Sequence, residues 1–275
     1  MQIGIMARTF SSPKLSEILD GVISHEIYSI QFSFGCVGFP ELPEKIDLKL
    51  CDDIRAEVEK RKITMSAMSG TFNMIDPDIN KRKEGIKRLS LLISACKNLG
   101  TSVITLCTGT RDPQNMWRRH PDNDTEEAFI DLVETLKELL DVAEKYNVIL
   151  AFEPEVSNVI DSANRGKRLI DELKSPYLKV VMDCANIFHK GELAKMDDIL
   201  KQAFELLGEH IIIAHAKDLD HDGDAGHLPA GKGLLDYDRY ISLLKQYKPD
   251  APLILHGLNE NEVGECVNFL RKKIG

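Results

Sequence analysis

The sequence has no apolar run approaching the roughly 18 residues needed to cross a bilayer. It has no charged leader followed by a long apolar core either, and Met1-Gln-Ile-Gly-Ile-Met6 reads as a strand rather than a secretion signal. A cytoplasmic protein with no membrane partner is the expectation. Closely spaced cysteines are missing too. Cys36, Cys51, Cys96, Cys107, Cys184 and Cys266 form no C-x-x-C and read as free, mostly buried thiols in a reducing compartment. An excess of Lys and Arg is also lacking. The formal net charge is −9, with acidic residues spread along the chain. That argues against a nucleic-acid partner, because phosphate contacts need concentrated cations. No G-x-G-x-x-G turn follows an early strand, and Gly231-Lys232-Gly233 lacks the spacing of a P-loop and reads as a turn. Apolar residues are not scarce. They make up 43% of 275 residues, enough for one large α/β core and too many for a disordered chain.

Short apolar segments alternate with amphipathic ones from end to end. Strands are expected at 2–6, 28–34, 63–69, 102–107, 148–154, 178–182, 211–214 and 252–255. Helices are expected at 15–24, 48–61, 79–99, 125–146, 163–173, 197–208, 236–246 and 262–273. Gly100 is a C-cap signal, Thr125 an imperfect N-cap, and Asp161 or Ser162 caps the fifth helix. Eight strand–helix units with no linker between them imply one (β/α)8 TIM barrel domain over residues 1–275. The alternative, an open doubly wound sheet, would call for the glycine-rich turn that is absent.

Residues at the carboxyl ends of barrel strands point into the active site. The run Val148-Ile-Leu-Ala-Phe-Glu-Pro-Glu155 ends there in two carboxylates. The next three strands end alike, in Met182-Asp183, Ala214-His215 and Leu255-His256. Each residue alone has an ordinary explanation, such as an ion pair for Glu153, a turn cap for Asp183 or a hydrogen-bonded histidine. Four in phase on consecutive strands point instead to one divalent metal ion held by Glu153, Asp183, His215 and His256. The mixed nitrogen and oxygen set suits Mn²⁺, Zn²⁺ or Co²⁺, with Mg²⁺ a further candidate.

Several motifs carry a resemblance. Leu106-Cys-Thr-Gly-Thr-Arg-Asp112, Trp117-Arg-Arg-His-Pro-Asp-Asn123, Phe152-Glu-Pro-Glu155, Met182-Asp-Cys-Ala-Asn186, Ala214-His-Ala-Lys-Asp218 and Gly231-Lys-Gly-Leu-Leu-Asp236 resemble the sugar phosphate isomerase/epimerase family. These are xylose isomerase-like barrels, in a superfamily that also holds endonuclease IV. The resemblance implies one divalent ion held by Glu, Asp, His and Glu on strands five to eight. It also implies a carboxylate that moves a proton between carbons of a sugar. Glu153, Asp183 and His215 match that pattern. His256 departs from it, standing where the family has Glu, so the pair of glutamates that epimerases place on opposite substrate faces is incomplete. Glu260 and Glu262 are the nearby substitutes. Asn186 stands where many relatives have His.

The implied mechanism has Glu153 remove a proton beside a carbonyl polarised by the ion. Return of the proton gives isomerisation or epimerisation; loss of a β-hydroxyl gives dehydration, as in inosose dehydratases or a keto-sugar lyase. Lys217, Asn186, Trp117, His120, Arg111 and Glu155 are the expected substrate-side residues, with Asn73 and Asn158 behind them. The expected partner is a small sugar or sugar phosphate, and a homo-oligomer is an open expectation because such barrels often pair. Two other functions compete. A non-catalytic sugar-binding barrel fits the broken quartet, while an endonuclease IV-like enzyme needs histidines that strands three and four lack.

Overall fold

Side chains alternate between the two faces of a strand, and that period sorts the apolar residues into two cores. In Ile149–Glu153, Leu150 and Phe152 join the large cluster shared with the helices. Ala151 faces the other way, into a separate cluster with Met6, Ala67, Val103, Val181, Ile213 and Ile254. Seven strands supply one residue each to this inner plug. The exception is Ser29–Phe32, whose inward residues Ser29 and Gln31 are polar.

The computed structural model describes residues Met1–Gly275. Its barrel strands are Ile3–Met6, Ser29–Phe32, Thr64–Ser69, Val103–Cys107, Ile149–Glu153, Leu178–Asp183, Ile211–Asp218 and Leu253–Leu255. Each pairs in parallel with the next. The eighth pairs with the first at Ile3↔Leu253, which closes the sheet and rules out the open alternative. Helices fill all eight expected intervals. Thr125 caps its helix by accepting from the Ala128 N–H at 3.2 Å, and Gly100 closes the preceding one at φ 81°. Ser162, not Asp161, caps the fifth helix; Asp161 receives Arg119 instead. No helix is long and apolar enough to cross a membrane.

One strand exceeds its expected length by more than a single residue. The seventh runs to Asp218 rather than residue 214, because Leu228–Pro229 folds back and pairs antiparallel with Lys217 and Asp218. An apolar run marks only the buried part of a strand, and His215 and Lys217 are inward-facing polar residues beyond it. Asp218 then organises the following loop, its carboxylate accepting from the N–H groups of Leu219, Gly231 and Leu235.

The loop after strand four depends on Gly109, at φ 87°. A Cβ there would lie 2.3 Å from Asn73 Oδ1 and 2.8 Å from the Met74 nitrogen. Gly109→Ala is expected to cost about 2 kcal/mol or more, from the positive φ and the clash together. A lower denaturant midpoint at unchanged slope is the readout, and an unchanged midpoint would refute the claim.

Candidate active site

The two-residue period that builds the plug also builds the site above it. Two residues beyond its members come Arg8, Ser69, Thr105, Glu153, Asp183, His215 and His256, each on the same inward face. All but Asp183, which lies just beneath, line a cavity of about 290 Å³ together with Gln31, Lys217 and Glu155. Register brings the ends level, with Cys107 beside Glu153 and Asp183 beside His215.

At the centre, His215 Nδ1 lies 3.3 Å from Glu153 Oε2 and 3.7 Å from Asp183 Oδ2. Lys217 Nζ stands 3.3 Å from the same Asp183 oxygen. Asp183 Oδ2, His215 Nδ1 and His256 Nδ1 are buried and have no hydrogen-bond partner. Buried polar atoms rarely stay unpaired, and one ligand atom each from Asp183, His215 and His256 lies within 4.8 Å of the others.

Charges at this depth shift one another. Burial opposes the His215 imidazolium, but Glu153 and Asp183 outweigh it and push His215 up to about 9. Burial opposes the charge on Asp183 too, yet Lys217 and His215 hold its carboxyl below the usual range. Lys217 is likewise raised by Asp183, Glu153 and Glu155 against burial. Burial and the neighbouring Glu153 push Glu155 up to about 7. Burial, reinforced by Lys217, His215 and Arg8, holds His256 well below its ordinary value, so its ring is neutral.

Partners that no strand-end motif marked hold the central side chains. His215 Nε2 lies 3.0 Å from Gln31 Oε1. The Gln31 amide is oriented by its own nitrogen, which donates to Ser69 Oγ and Thr105 Oγ1. Tyr240 places its hydroxyl 3.0 Å from the Met182 carbonyl and 2.9 Å from that of His215, tying strands six and seven together. The polar residue inside Ser29-Ile-Gln-Phe32 was the available signal for Gln31. Tyr240 looks like any helix core residue and left none.

The expected substrate-side residues divide. Lys217 and Glu155 line the cavity, and Trp117, 54% exposed, sits at its mouth. Asn186 is fully buried and both ends of its amide are engaged: Nδ2 donates to Glu153 Oε1 at 2.5 Å and Oδ1 accepts from the Gly226 N–H at 2.9 Å. It lies against Glu153 and does not line the cavity. Arg111 is turned away, held by Asp131 and the Ile75 carbonyl. His120 lies outside the cavity, where its ring accepts from the Asp122 N–H. Asn73 and Asn158 are loop braces, bonded to Thr110 and to Gly109 and Glu155 respectively. Glu260 is exposed and Glu262 caps the last helix through Asn259, so neither lines the cavity as a second glutamate.

A family model described as xylose isomerase-like TIM barrel matches residues 27–273. The L-ribulose-5-phosphate 3-epimerase UlaE of Shigella flexneri serotype 5b (strain 8401) is 23% identical over 189 residues, covering 69% of this chain and 61% of that protein. The chain thus matches less than two thirds of that relative's length. Among solved structures, the 3-keto-D-glucoside 4-epimerase YcjR from E. coli superposes with a TM-score of 0.76 at 15% identity, over 99% of both chains. A D-tagatose 3-epimerase-like protein gives 0.78 at 14% identity, over 100% of this chain and 97% of the other. The IolI protein, solved with a binding zinc atom, gives 0.73 at 20% identity, over 99% and 96%. At these identities the structural likenesses speak for the fold.

Proposed function

This chain belongs to the xylose isomerase-like TIM barrel family, and from that premise we propose that it is a metal-dependent sugar or sugar-phosphate isomerase/epimerase. The observation that carries the reading is the meeting of two unbonded buried atoms, Asp183 Oδ2 and His215 Nδ1, beside Glu153 Oε2. Two carboxylates and an imidazole fit Mn²⁺, Zn²⁺ or Co²⁺ better than Mg²⁺, which prefers an all-oxygen shell. Glu153, Asp183 and His215 would hold the ion, and His256 stands at the fourth position of the set. Bound there, the ion supplies charge that polarises a carbonyl and acidifies the neighbouring C–H.

The chain's own groups do the rest. Glu153, steadied by Asn186, takes the proton from carbon and returns it to the neighbouring carbon for isomerisation; epimerisation needs a proton donor on the opposite face. Lys217 donates to a substrate oxygen from within the cavity. Glu155, protonated below about pH 7, offers a hydrogen bond to a hydroxyl while Asn158 holds its other oxygen. Trp117 presents a ring face at the mouth on which a sugar stacks. A cavity of about 290 Å³ is at the small end of ligand pockets, the size for one monosaccharide rather than a polymer.

The test is incubation of ion-loaded protein with ketoses, aldoses and their phosphates in D₂O. Deuterium is expected at the carbon beside the carbonyl of at least one substrate. Binding without any exchange would leave only the sugar-binding barrel.

Ion binding should also depend on pH with a defined sign. An ion on His215 Nδ1 must displace the proton that this ring retains up to about pH 9. Apparent affinity is therefore expected to rise by roughly tenfold per pH unit until it flattens near that value. Calorimetry in buffers of different ionisation enthalpy should show about one proton released per ion at pH 7. A pH-independent affinity would remove His215 from the ligand set.

A further inference from the structure

The proton on His256 is placed by a neighbour that can only donate. Arg8 Nη2 lies 3.1 Å from His256 Nε2, and a guanidinium has N–H groups but no acceptor. His256 Nε2 therefore accepts, and the single proton of the neutral ring sits on Nδ1. That Nδ1 is buried and unpartnered, and His256 brings one ring nitrogen close to ligand atoms of Asp183 and His215.

His215, 5.0 Å away ring to ring, is set the opposite way. Its Nε2 faces the Gln31 carbonyl oxygen, an acceptor, so in the neutral ring Nδ1 is bare. A metal-ligating histidine ordinarily donates its outer N–H to such an acceptor. An acceptor behind His215 and a cationic donor behind His256 give the two rings different work.

We propose that His256 is not a fourth metal ligand but a neutral Nδ1–H donor to the substrate's carbonyl oxygen, with Arg8 as the residue that positions it. The proposal rests on the metal-dependent isomerase/epimerase reading of the site. His256 transfers no proton. As Glu153 takes the proton from carbon, electron density moves onto the oxygen, and the hydrogen bond from Nδ1–H to it shortens, the role a neutral imidazole fills well. Three protein ligands with one position open is also the usual count of catalytic zinc sites. The glutamate expected on strand eight is thus replaced in position but not in function, which favours return of the proton by Glu153 to the neighbouring carbon, an isomerisation, over a two-base exchange at one carbon.

Protein labelled with ¹⁵N at histidine tests this by long-range ¹H–¹⁵N correlation, before and after one equivalent of Zn²⁺. His256 is expected to show a protonated Nδ1 and a bare Nε2 in both spectra. Arg8→Lys retains a donor and the tautomer, whereas Arg8→Met lets the tautomers mix and lowers kcat without moving KM. His256→Ala is expected to lose about 100-fold in kcat while its Zn²⁺ affinity stays within about threefold of the parent. His256→Asn, whose Nδ2 falls near the place of Nδ1, should recover part of the rate. A bare Nδ1, a proton lost from Nδ1 on adding Zn²⁺, or a loss of about 100-fold or more in the Zn²⁺ affinity of His256→Ala would overturn the assignment. Should the parent take up no Zn²⁺, the metal reading falls by itself; the tautomer in the same spectrum still decides for or against His256 as the donor.

Discussion

Glu153→Gln is expected to lower turnover by at least about a thousandfold while leaving the protein folded. Glutamine keeps the volume and still offers Asn186 an acceptor in place of Oε1, now 2.5 Å from the Asn186 nitrogen. It cannot take a proton from carbon, and it brings an amide rather than a carboxylate to His215 Nδ1. The other carboxylates at the cavity are engaged: Glu41, which also lines it, accepts from the Thr71 N–H at 3.2 Å. Asp183 lies beneath the cavity lining, engaged by Lys217 and by the Ala185 N–H, and Glu155 is protonated below about pH 7. Because the substitution also weakens a ligand, the rate should be read at saturating ion, with deuterium exchange into substrate as the direct measure of proton removal. A variant that keeps a tenth of the exchange rate with its ion bound would refute Glu153 as the base. In the metal-free protein its unfolding midpoint should fall, since Glu153 is the leading partner of the buried His215 imidazolium.

The strand ends were legible in the sequence because their signal is local. Each of Glu153, Asp183, His215 and His256 follows a short apolar run by one residue, and the barrel's closure brings those ends to one place. The same period would also have pointed to Arg8, two residues after Met6 and on the face of the plug, but only once Met6 was known to face inward. What the sequence withheld lies in contacts between distant segments. Whether His256 has an acceptor or a donor behind it depends on Arg8, which lies 248 residues away. Arg111 and His120 carry the right chemistry for a lid, yet Asp131 and the backbone of Asp122 claim them, and no spacing rule reports that competition. Asn186 shows a third kind of limit. Its place after strand six suggested a substrate contact, whereas Gly226, from a loop forty residues on, takes its carbonyl and turns its nitrogen onto Glu153.

The second large effect is expected at Lys217, and its sign depends on the ion. In the metal-free protein the buried ammonium, 3.3 Å from Asp183 Oδ2, is a main counterion for that carboxylate. Lys217→Met keeps the stem that packs beside Gly257 and leaves the Tyr237 hydroxyl its bond to the backbone carbonyl of residue 217. It removes the charge alone. Breaking a buried pair from one side typically costs about 3–5 kcal/mol, so the metal-free variant should unfold at a clearly lower temperature. The loss should grow with pH. The depressed Asp183 carboxyl contributes stability above the unfolded carboxylate range and loses it as pH falls through the depressed value, and without Lys217 most of that contribution is gone. With a divalent ion at Asp183 the lysine becomes a like charge close by, and its removal is expected to tighten ion binding by about tenfold or more. Saturating ion should then recover much of the lost stability through linkage. Turnover should nonetheless stay down by roughly a hundredfold, because the cavity has lost its donor to the substrate oxygen. A purely structural lysine would lower the melting temperature equally with and without ion and leave ion affinity unmoved. Calorimetric titration beside melting curves in both states separates the two outcomes.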